Sequence, residues 1–118
     1  MSRNLSKTLK MHRKRAFITQ SGFCYYCNQP MWVNEKDSFC AKYYLKTGDA
    51  NLLQCTAEHL KPRQDGGKDS AQNIVAACKF CNHTRHKAKS VLVPEMYKKR
   101  VRMRLSKNLW HQIIINPI

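Results

Sequence analysis

The sequence predicts a small α+β fold with helices at its two ends and short extended segments between them. Apolar side chains recur at near-helical spacing from Leu5 to Phe17, which predicts a first helix. Pro94 suits the first position of a helix that continues to about Leu105. Between these helices, residues 52–60 have an extended pattern, and the short apolar segment 74–77 could be a strand or a turn. The length of 118 residues is that of a single domain.

The first half of the chain is predicted to contain one clear helix and one weak one. The first helix ends before Gly22. Residues 3–15 form a basic arm that contains no acidic residue. Residues 24–30 form a turn rich in aromatic and turn-forming side chains. The pattern is weakest over residues 32–53, where 39–45 could form a short helix closed by Gly48 and Asp49.

The second half alternates loops with helices. Pro62 and the pair Gly66-Gly67 mark residues 61–67 as a loop, and residues 82–89 have helical composition without a breaker. The apolar tail, 109–118, must pack on the rest of the molecule. We therefore expect one domain over 1–118, divided into a basic N-terminal helix (1–20), a core (21–89), and a basic C-terminal helix with its tail (90–118).

The charge balance predicts a polyanionic partner. The chain has 22 Lys and Arg against 7 Asp and Glu, a net charge of +15. A small domain would not normally accept such self-repulsion without a partner of opposite charge. No apolar stretch is long enough to span a bilayer or to follow the basic N-terminus as a signal peptide, so we expect a cytoplasmic protein without a membrane partner. No feature of the sequence specifies an oligomeric state.

Four of the six cysteines form two C-x-x-C pairs, Cys24/Cys27 and Cys78/Cys81. A C-x-x-C turn presents two thiolates to one metal, and two such turns complete the tetrahedral set that structural Zn²⁺ prefers. The alternatives, a redox pair or buried free thiols, suit a single pair better than two. Cys40 and Cys55 lack a partner at this spacing and are predicted to be small buried hydrophobes, with ligand substitution as a minor alternative.

Between the two pairs lie residue types that suit a second metal. Glu58 and His59 place a carboxylate beside an imidazole, and Asn82 and His86 would share one face of a helix. A carboxylate, an amide oxygen and an imidazole can bind a divalent cation that keeps open positions for water and phosphate. His59 would then be free to take a proton from water. Arg85 flanks the same face.

These residues, in this order, resemble the HNH endonuclease family, the zinc-knuckle branch of the ββα-metal nucleases. The resemblance covers about residues 15–89. The matching positions are Cys24/Cys27, Glu58-His59, Pro62, Gly66-Gly67, Asn73, Cys78/Cys81 and Asn82. Asn82 stands in place of the last His of the family's name, an HNN variant, and Glu58 replaces the commoner Asp or His.

The resemblance implies a role for each matched residue. His59 would be the general base, and Glu58 and Asn82 would bind the catalytic cation, Mg²⁺, Mn²⁺ or another transition metal. Asn73 would hold the loop and orient the base. His86 matches a further ligand of some branches of the family.

The one-signed basic side chains predict phosphate contacts. Those assigned to nucleic-acid binding are Arg85, Lys87, Lys98, Lys99 and Arg100. We therefore expect a metal-dependent endonuclease. The family's usual substrate favours DNA over RNA, whereas the charge alone does not separate them. The alternative is a non-catalytic zinc-ribbon module that binds nucleic acid through the same basic surface. His12 and His111 lack any partner pattern and are assigned no role, and His83 is predicted to be a surface or phosphate-contacting residue.

Overall fold

The computed structural model describes residues 6–118, so that Arg3 and Leu5, the start of the predicted basic helix, lie outside the described residues. In chain order the described part forms helix α1 (Lys7–Thr19), helix α2 (Lys36–Tyr43), helix α3 (Thr47–Leu52), strand β1 (Cys55–His59), strand β2 (Ile74–Cys78), helix α4 (Lys79–Lys87) and helix α5 (Pro94–Ser106). A single 3₁₀ turn, Arg63–Asp65, lies in the loop between the strands.

The centre of the fold is a β-hairpin followed directly by a helix. Strands β1 and β2 pair antiparallel, with Cys55 opposite Cys78 at one end and His59 opposite Ile74 at the other. Helix α4 begins at the residue after β2, and the Cys78 sulphur caps it by accepting a hydrogen bond from the Cys81 amide. The predicted α+β class with a strand–strand–helix core is confirmed.

The outer edge of β2 is covered by the end of the first helical region. The Gln20 side chain donates to the Ala76 carbonyl and accepts from the Ala76 amide, at 2.8 and 2.9 Å, as a neighbouring strand would. The Tyr25 amide also donates to the Ala76 carbonyl. These bonds satisfy backbone groups that an exposed edge would leave open to another chain.

Helix α5 closes the other side of the core. Pro94 occupies its first turn, as predicted, and Tyr97, Val101 and Leu105 are buried at four-residue intervals along one face. The tail packs as its apolar composition requires, with Ile113 in the core.

Several boundaries differ from the sequence prediction, among them those of α2, which spans Lys36–Tyr43 rather than 39–45. Residues 47–52 form helix α3, although Gly48 and Asp49 were expected to close a helix rather than to lie in one. Strand β1 therefore starts only at Cys55, and α4 starts three residues earlier than predicted. None of the described helices is both long and apolar enough to cross a membrane.

Candidate active site and metal centre

The four paired cysteines come together at one end of the hairpin. The sulphur atoms of Cys24, Cys27, Cys78 and Cys81 all lie within 4.8 Å of one another, and all four side chains are buried. The first pair sits on the turn after α1, and the second pair spans the junction of β2 and α4. This set of four thiols fits a tetrahedral soft-metal site and could hold a structural zinc ion. Cys40 and Cys55 lie outside it.

Electrostatics at the cluster favour a cation. Hydrogen bonds from Cys24, then from Cys78 and Cys81, lower the pKa of the Cys27 thiol far below its usual range. Burial raises the pKa of Cys78 and Cys81 well above their usual range. A metal bound here would hold all four groups as thiolates and supply the positive charge that stabilises them.

An open cleft of about 360 Å³ lies at the opposite end of the hairpin. Its lining includes four of the predicted site residues, namely Glu58, His59, Asn82 and His86. Strand β1 contributes the first two of these, and α4 contributes the others. The strand–strand–helix unit therefore brings together side chains that are up to 28 residues apart in sequence.

Glu58 is fully buried and has a partner for each of its carboxylate oxygens. Oε2 accepts hydrogen bonds from the Tyr26 hydroxyl at 2.9 Å and from Arg85 at 3.2 Å, and Oε1 lies 2.7 Å from Nε2 of His86. Burial, together with the nearby Glu58 carboxylate, raises the pKa of Tyr26, which therefore remains a donor. Of the two carboxylate oxygens of Glu58, only Oε1 contacts a side chain that lines the cleft, namely that of His86.

Arg85 does not lie on the surface where a phosphate contact was expected. It is 2% exposed, and its guanidinium donates to Glu58 and to the backbone carbonyls of His59, Leu60 and Leu92. Sequence alone suggests a surface role because most arginines are exposed. Here the carboxylate and three carbonyls satisfy the buried charge, so Arg85 holds the end of β1 against α4.

His59 forms a network with two residues that the sequence pattern did not single out. Its Nε2 atom lies 2.7 Å from Oδ1 of Asp69, and Arg63 donates to both oxygens of Asp69. The hydrogen bond from His59, followed by the charge of Arg63, lowers the pKa of Asp69. Two groups approach Nε2 of His59: Oδ1 of Asp69 at 2.7 Å and the Nε donor of Arg63 at 3.2 Å. An ionised Asp69 can only accept, so the shorter contact assigns the proton to Nε2, the Arg63 contact is then a close approach of two donors, and Nδ1 is the nitrogen without a proton.

Asn73 lies outside the cleft and holds the ends of the loop together. Its side chain accepts from the Lys61 amide and donates to the Lys61 and Lys68 carbonyls. Gly67 permits the loop to close, because a Cβ atom there would lie 1.7 Å from the Lys61 carbonyl oxygen. Asn73 makes no direct hydrogen bond to His59 within the described chain, so any effect on that ring passes through the loop.

The hydrogen bonds of Asn82 determine which way its amide points. The Thr56 hydroxyl donates to the Ala77 carbonyl, so its oxygen is free only to accept. The Nδ2 group of Asn82 therefore faces Thr56, at 2.9 Å, and also donates to the Ala57 carbonyl. The Oδ1 atom of Asn82 is therefore the side-chain atom that can accept from or bind a ligand in the cleft.

The remaining basic residues lie on helix surfaces. Lys87 is exposed at the end of α4, and Lys99 and Arg100 are exposed on α5. Lys98 is partly buried, with its ammonium 4.2 Å from the centre of the Tyr25 ring.

Comparison with protein families agrees with this geometry. Residues 40–88 match the HNH endonuclease family. The match includes the hairpin, helix α4 and every predicted residue of the cleft, but it excludes Cys24 and Cys27. A search of curated proteins finds no match to the chain. The matched family is one of nucleases, so this similarity supports a nuclease function at the level of that family.

Two features could have been found by sequence reasoning, and one could not. Asp69 follows Gly66-Gly67 closely, and an acidic residue in a loop beside a candidate base is a reasonable partner. Arg63 lies four residues after His59 in the same loop. The burial of Tyr26 against Glu58 has no local signal, because it depends on how the cysteine turn docks onto β1.

Proposed function

We propose that the protein is a metal-dependent endonuclease that hydrolyses phosphodiester bonds in DNA. The observation that supports this best is the cleft itself, where a half-buried imidazole with a fixed tautomer adjoins two oxygen donors and a second imidazole. The core, residues 21–89, would provide the chemistry, and the basic regions 1–20 and 90–118 would extend the nucleic-acid contact.

The donor set of the cleft fits a divalent cation. Glu58 Oε1 and His86 Nε2 are 2.7 Å apart, and neighbouring ligands of one small cation are separated by about 3 Å when each bond is about 2.1 Å. Asn82 Oδ1 would be the third donor. Mg²⁺ or Mn²⁺, or another transition metal, bound there would stabilise the charge that develops on the phosphate and on the leaving oxygen.

His59 would act as the general base. Asp69 keeps the proton on Nε2, and Nδ1 is left to take a proton from the attacking water. Asp69 and Arg63 are positioning residues, because they touch the base and not the substrate. Asn73 would keep the loop in the conformation that places them, and Arg85 would fix Glu58 from behind.

Phosphate contacts would come from the exposed cations. Lys87 follows the last ligand position on α4, and Lys98, Lys99 and Arg100 lie on α5. Binding through such side chains is electrostatic and largely independent of sequence.

The test is cleavage by wild-type protein and by His59→Ala. Wild type should nick plasmid DNA with Mg²⁺ or Mn²⁺ and stop when EDTA is added. His59→Ala should cut about a hundred- to ten-thousandfold more slowly, because the general base is lost, and it should retain its zinc and its DNA affinity. His83→Ala, which changes an exposed histidine on the same helix as Asn82, is the matched control and should cut normally.

Two outcomes would contradict the proposal in different ways. A wild-type protein that binds DNA but cuts under no divalent metal would favour a non-catalytic zinc-ribbon binding module. Equal cutting by wild type and His59→Ala would retain the nuclease and reject His59 as its base. If duplex RNA were cut faster than duplex DNA of the same length, the substrate would be RNA rather than DNA.

A further inference from the structure

The C-terminal tail lies directly on the cysteine cluster. The indole Nε1 of Trp110 donates to the Cys81 sulphur at 3.3 Å. The ring of Trp110 also packs edge-to-face on Phe80, at 5.0 Å between centroids. His111, the next residue, packs on the same phenylalanine ring at 5.5 Å and is 4% exposed. Two consecutive ring systems of the tail therefore pack on Phe80, and the first of them places its nitrogen against a thiol of the cluster.

His111 has a buried donor with no hydrogen-bond partner among the described residues. Its Nδ1 atom accepts a hydrogen bond from the Ile113 amide, so in the neutral ring the proton resides on Nε2. That Nε2 atom is buried and makes no hydrogen bond to any atom of the described residues, sulphur included. The other cysteines lower the pKa of the Cys27 thiol most, burial opposes them, and the His111 imidazole lowers it least. A buried N–H without a partner needs an acceptor, and a metal-bound thiolate of the cluster can supply one.

The other sulphurs already have N–H donors. Cys24 accepts from the amides of Tyr26 and Cys78, at 3.4 and 3.2 Å, and Cys78 accepts from the amide of Cys81 at 3.4 Å. Within the described chain, Cys27 receives no backbone N–H bond. Four thiolates on Zn²⁺ leave a net charge of about −2 in a buried site, and N–H groups directed at sulphur offset that charge.

We infer that Trp110 and His111 are outer partners of the zinc site: the Trp110 N–H donates to the metal-bound sulphur of Cys81, and the unpartnered N–H of His111 is the donor for Cys27. The tail thereby becomes part of the metal centre rather than an appendage that only covers it. A second attachment supports the same docking, since the buried Gln29 side chain accepts from the amides of Ile115 and Asn116. This role depends on zinc at the four cysteines and is independent of cleavage in the cleft.

The consequence is that zinc and the tail stabilise each other. The N–H donors lower the energy of the thiolates, so their removal should weaken metal binding by about ten- to a hundredfold, as is typical of outer partners of metal ligands. In return, removal of zinc returns protons to the sulphurs, weakens them as acceptors, and should release residues 109–118 to proteases.

The experiment uses full-length protein loaded with Zn²⁺ or, for spectroscopy, with Co²⁺. Trp110→Phe and His111→Phe each keep an aromatic ring against Phe80 and remove one N–H donor. Both should release zinc to a chelator about ten- to a hundredfold faster than wild type. Both should also shift the sulphur-to-cobalt charge-transfer absorption to lower energy, because the thiolate lone pairs lose a stabilising donor. Gln112→Ala changes the exposed residue that follows His111 in the tail and is the matched control. It should alter neither the rate of zinc release nor the charge-transfer absorption.

The cobalt spectrum separates this role from simple packing. Faster zinc release with an unchanged charge-transfer band would show that the rings only shield the site, and it would overturn the inference. Unchanged release and an unchanged band would overturn it as well. If His111→Phe does not fold, Trp110→Phe alone decides, because the Trp110 indole lies within hydrogen-bonding distance of a sulphur.

Discussion

The two ends of the hairpin differ in how far water can reach the candidate metal ligands. At the end where Cys55 pairs with Cys78, the candidate metal ligands are alike, all sulphur, and all buried. At the end where His59 pairs with Ile74, the ligand types are mixed, and only Glu58 is fully buried. His59 and His86 have side chains 14% and 30% exposed. The first end is suited to keeping a metal permanently, whereas the second leaves room for water and substrate.

Both ends are nevertheless tied to the same short elements. Helix α4 starts at the cysteine cluster and ends at the cleft, with Cys81 in its first turn and His86 in its last. Four residue steps along β1 correspond to roughly 13 Å, so the two sites are close neighbours in a rigid unit. A change that loosens the sulphur end should therefore disturb the cleft, whereas a change in the cleft should leave the sulphur end intact. Substitutions at each end can test this asymmetry.

The largest effect should follow from Cys78→Ser. Cys78 is a ligand candidate, the end of β2 and the cap of α4, so its loss should remove zinc and abolish cooperative unfolding. Metal analysis and thermal denaturation measure both effects. Cys40→Ser, outside the cluster and half-buried in α2, is the control and should keep its zinc. A Cys78→Ser protein that holds zinc and unfolds cooperatively would contradict the assignment.

A smaller but still large effect should follow from Arg85→Met. This change leaves the buried Glu58 carboxylate without its cation, and breaking such a pair typically costs about 3–5 kcal/mol. Urea denaturation measures the free energy of unfolding. Lys87→Met, an exposed change on the same helix, should alter it by no more than about 0.5 kcal/mol. Equal stability of the two variants would mean that Arg85 does not hold β1 against α4.

Sequence reasoning succeeded where the chemical groups lie a few residues apart in a recognisable spacing. The two C-x-x-C pairs predicted the cluster, and the helical patterns predicted α1, α4 and α5. The hairpin followed only from the family resemblance, because residues 74–77 alone could have been a strand or a turn. The prediction failed at α3, whose six residues include Gly48 and Asp49 and have little helical preference of their own. Tertiary packing stabilises that helix, since Ala50 is buried and its carbonyl accepts from the Trp32 indole.

The partners of the site residues were harder to predict than the residues themselves. Arg85 looks like a surface cation in sequence, and its carboxylate partner lies 27 positions earlier. His111 looks unremarkable because its significance depends on where a tail of weak pattern docks. Asp69 becomes a partner of His59 only once Asn73 and Gly67 have closed the loop. Sequence motifs thus indicate which groups perform chemistry, whereas the groups that orient them depend on the packed structure.

A moderate effect on DNA affinity should follow when Lys98, Lys99 and Arg100 are all changed to Gln. Binding should weaken on every duplex sequence, and the slope of log K against log salt should flatten by up to about 0.9 for each phosphate that the variant no longer neutralises. Fluorescence anisotropy over a salt series measures both effects. The matched triple Lys36, Lys42 and Lys46, changed in the same way, lies in and near α2. Equal weakening by the two triples would mean that total charge, and not α5, determines binding.

The smallest effect should follow from Asp69→Asn, which keeps the size of the side chain but removes its charge. The amide can no longer fix the proton on Nε2 of His59. Because Asp69 is 32% exposed, a hydrogen bond worth about 1 kcal/mol is lost, which predicts a roughly fivefold decrease in kcat with little change in KM. Asp65→Asn, an exposed acid in the same loop, should cut normally.

The pH dependence of stability gives a second measurement of the same contact. The pKa of Asp69 is lowered in the folded protein, so its contribution to stability is present above its ordinary value of 3.8 and is lost as the pH falls through the folded pKa. Wild type should therefore be more stable than Asp69→Asn at neutral pH, and the difference should vanish in acid. A difference that persists unchanged in acid would show that the variant disturbs the loop, and that the charge on Asp69 does not hold the base.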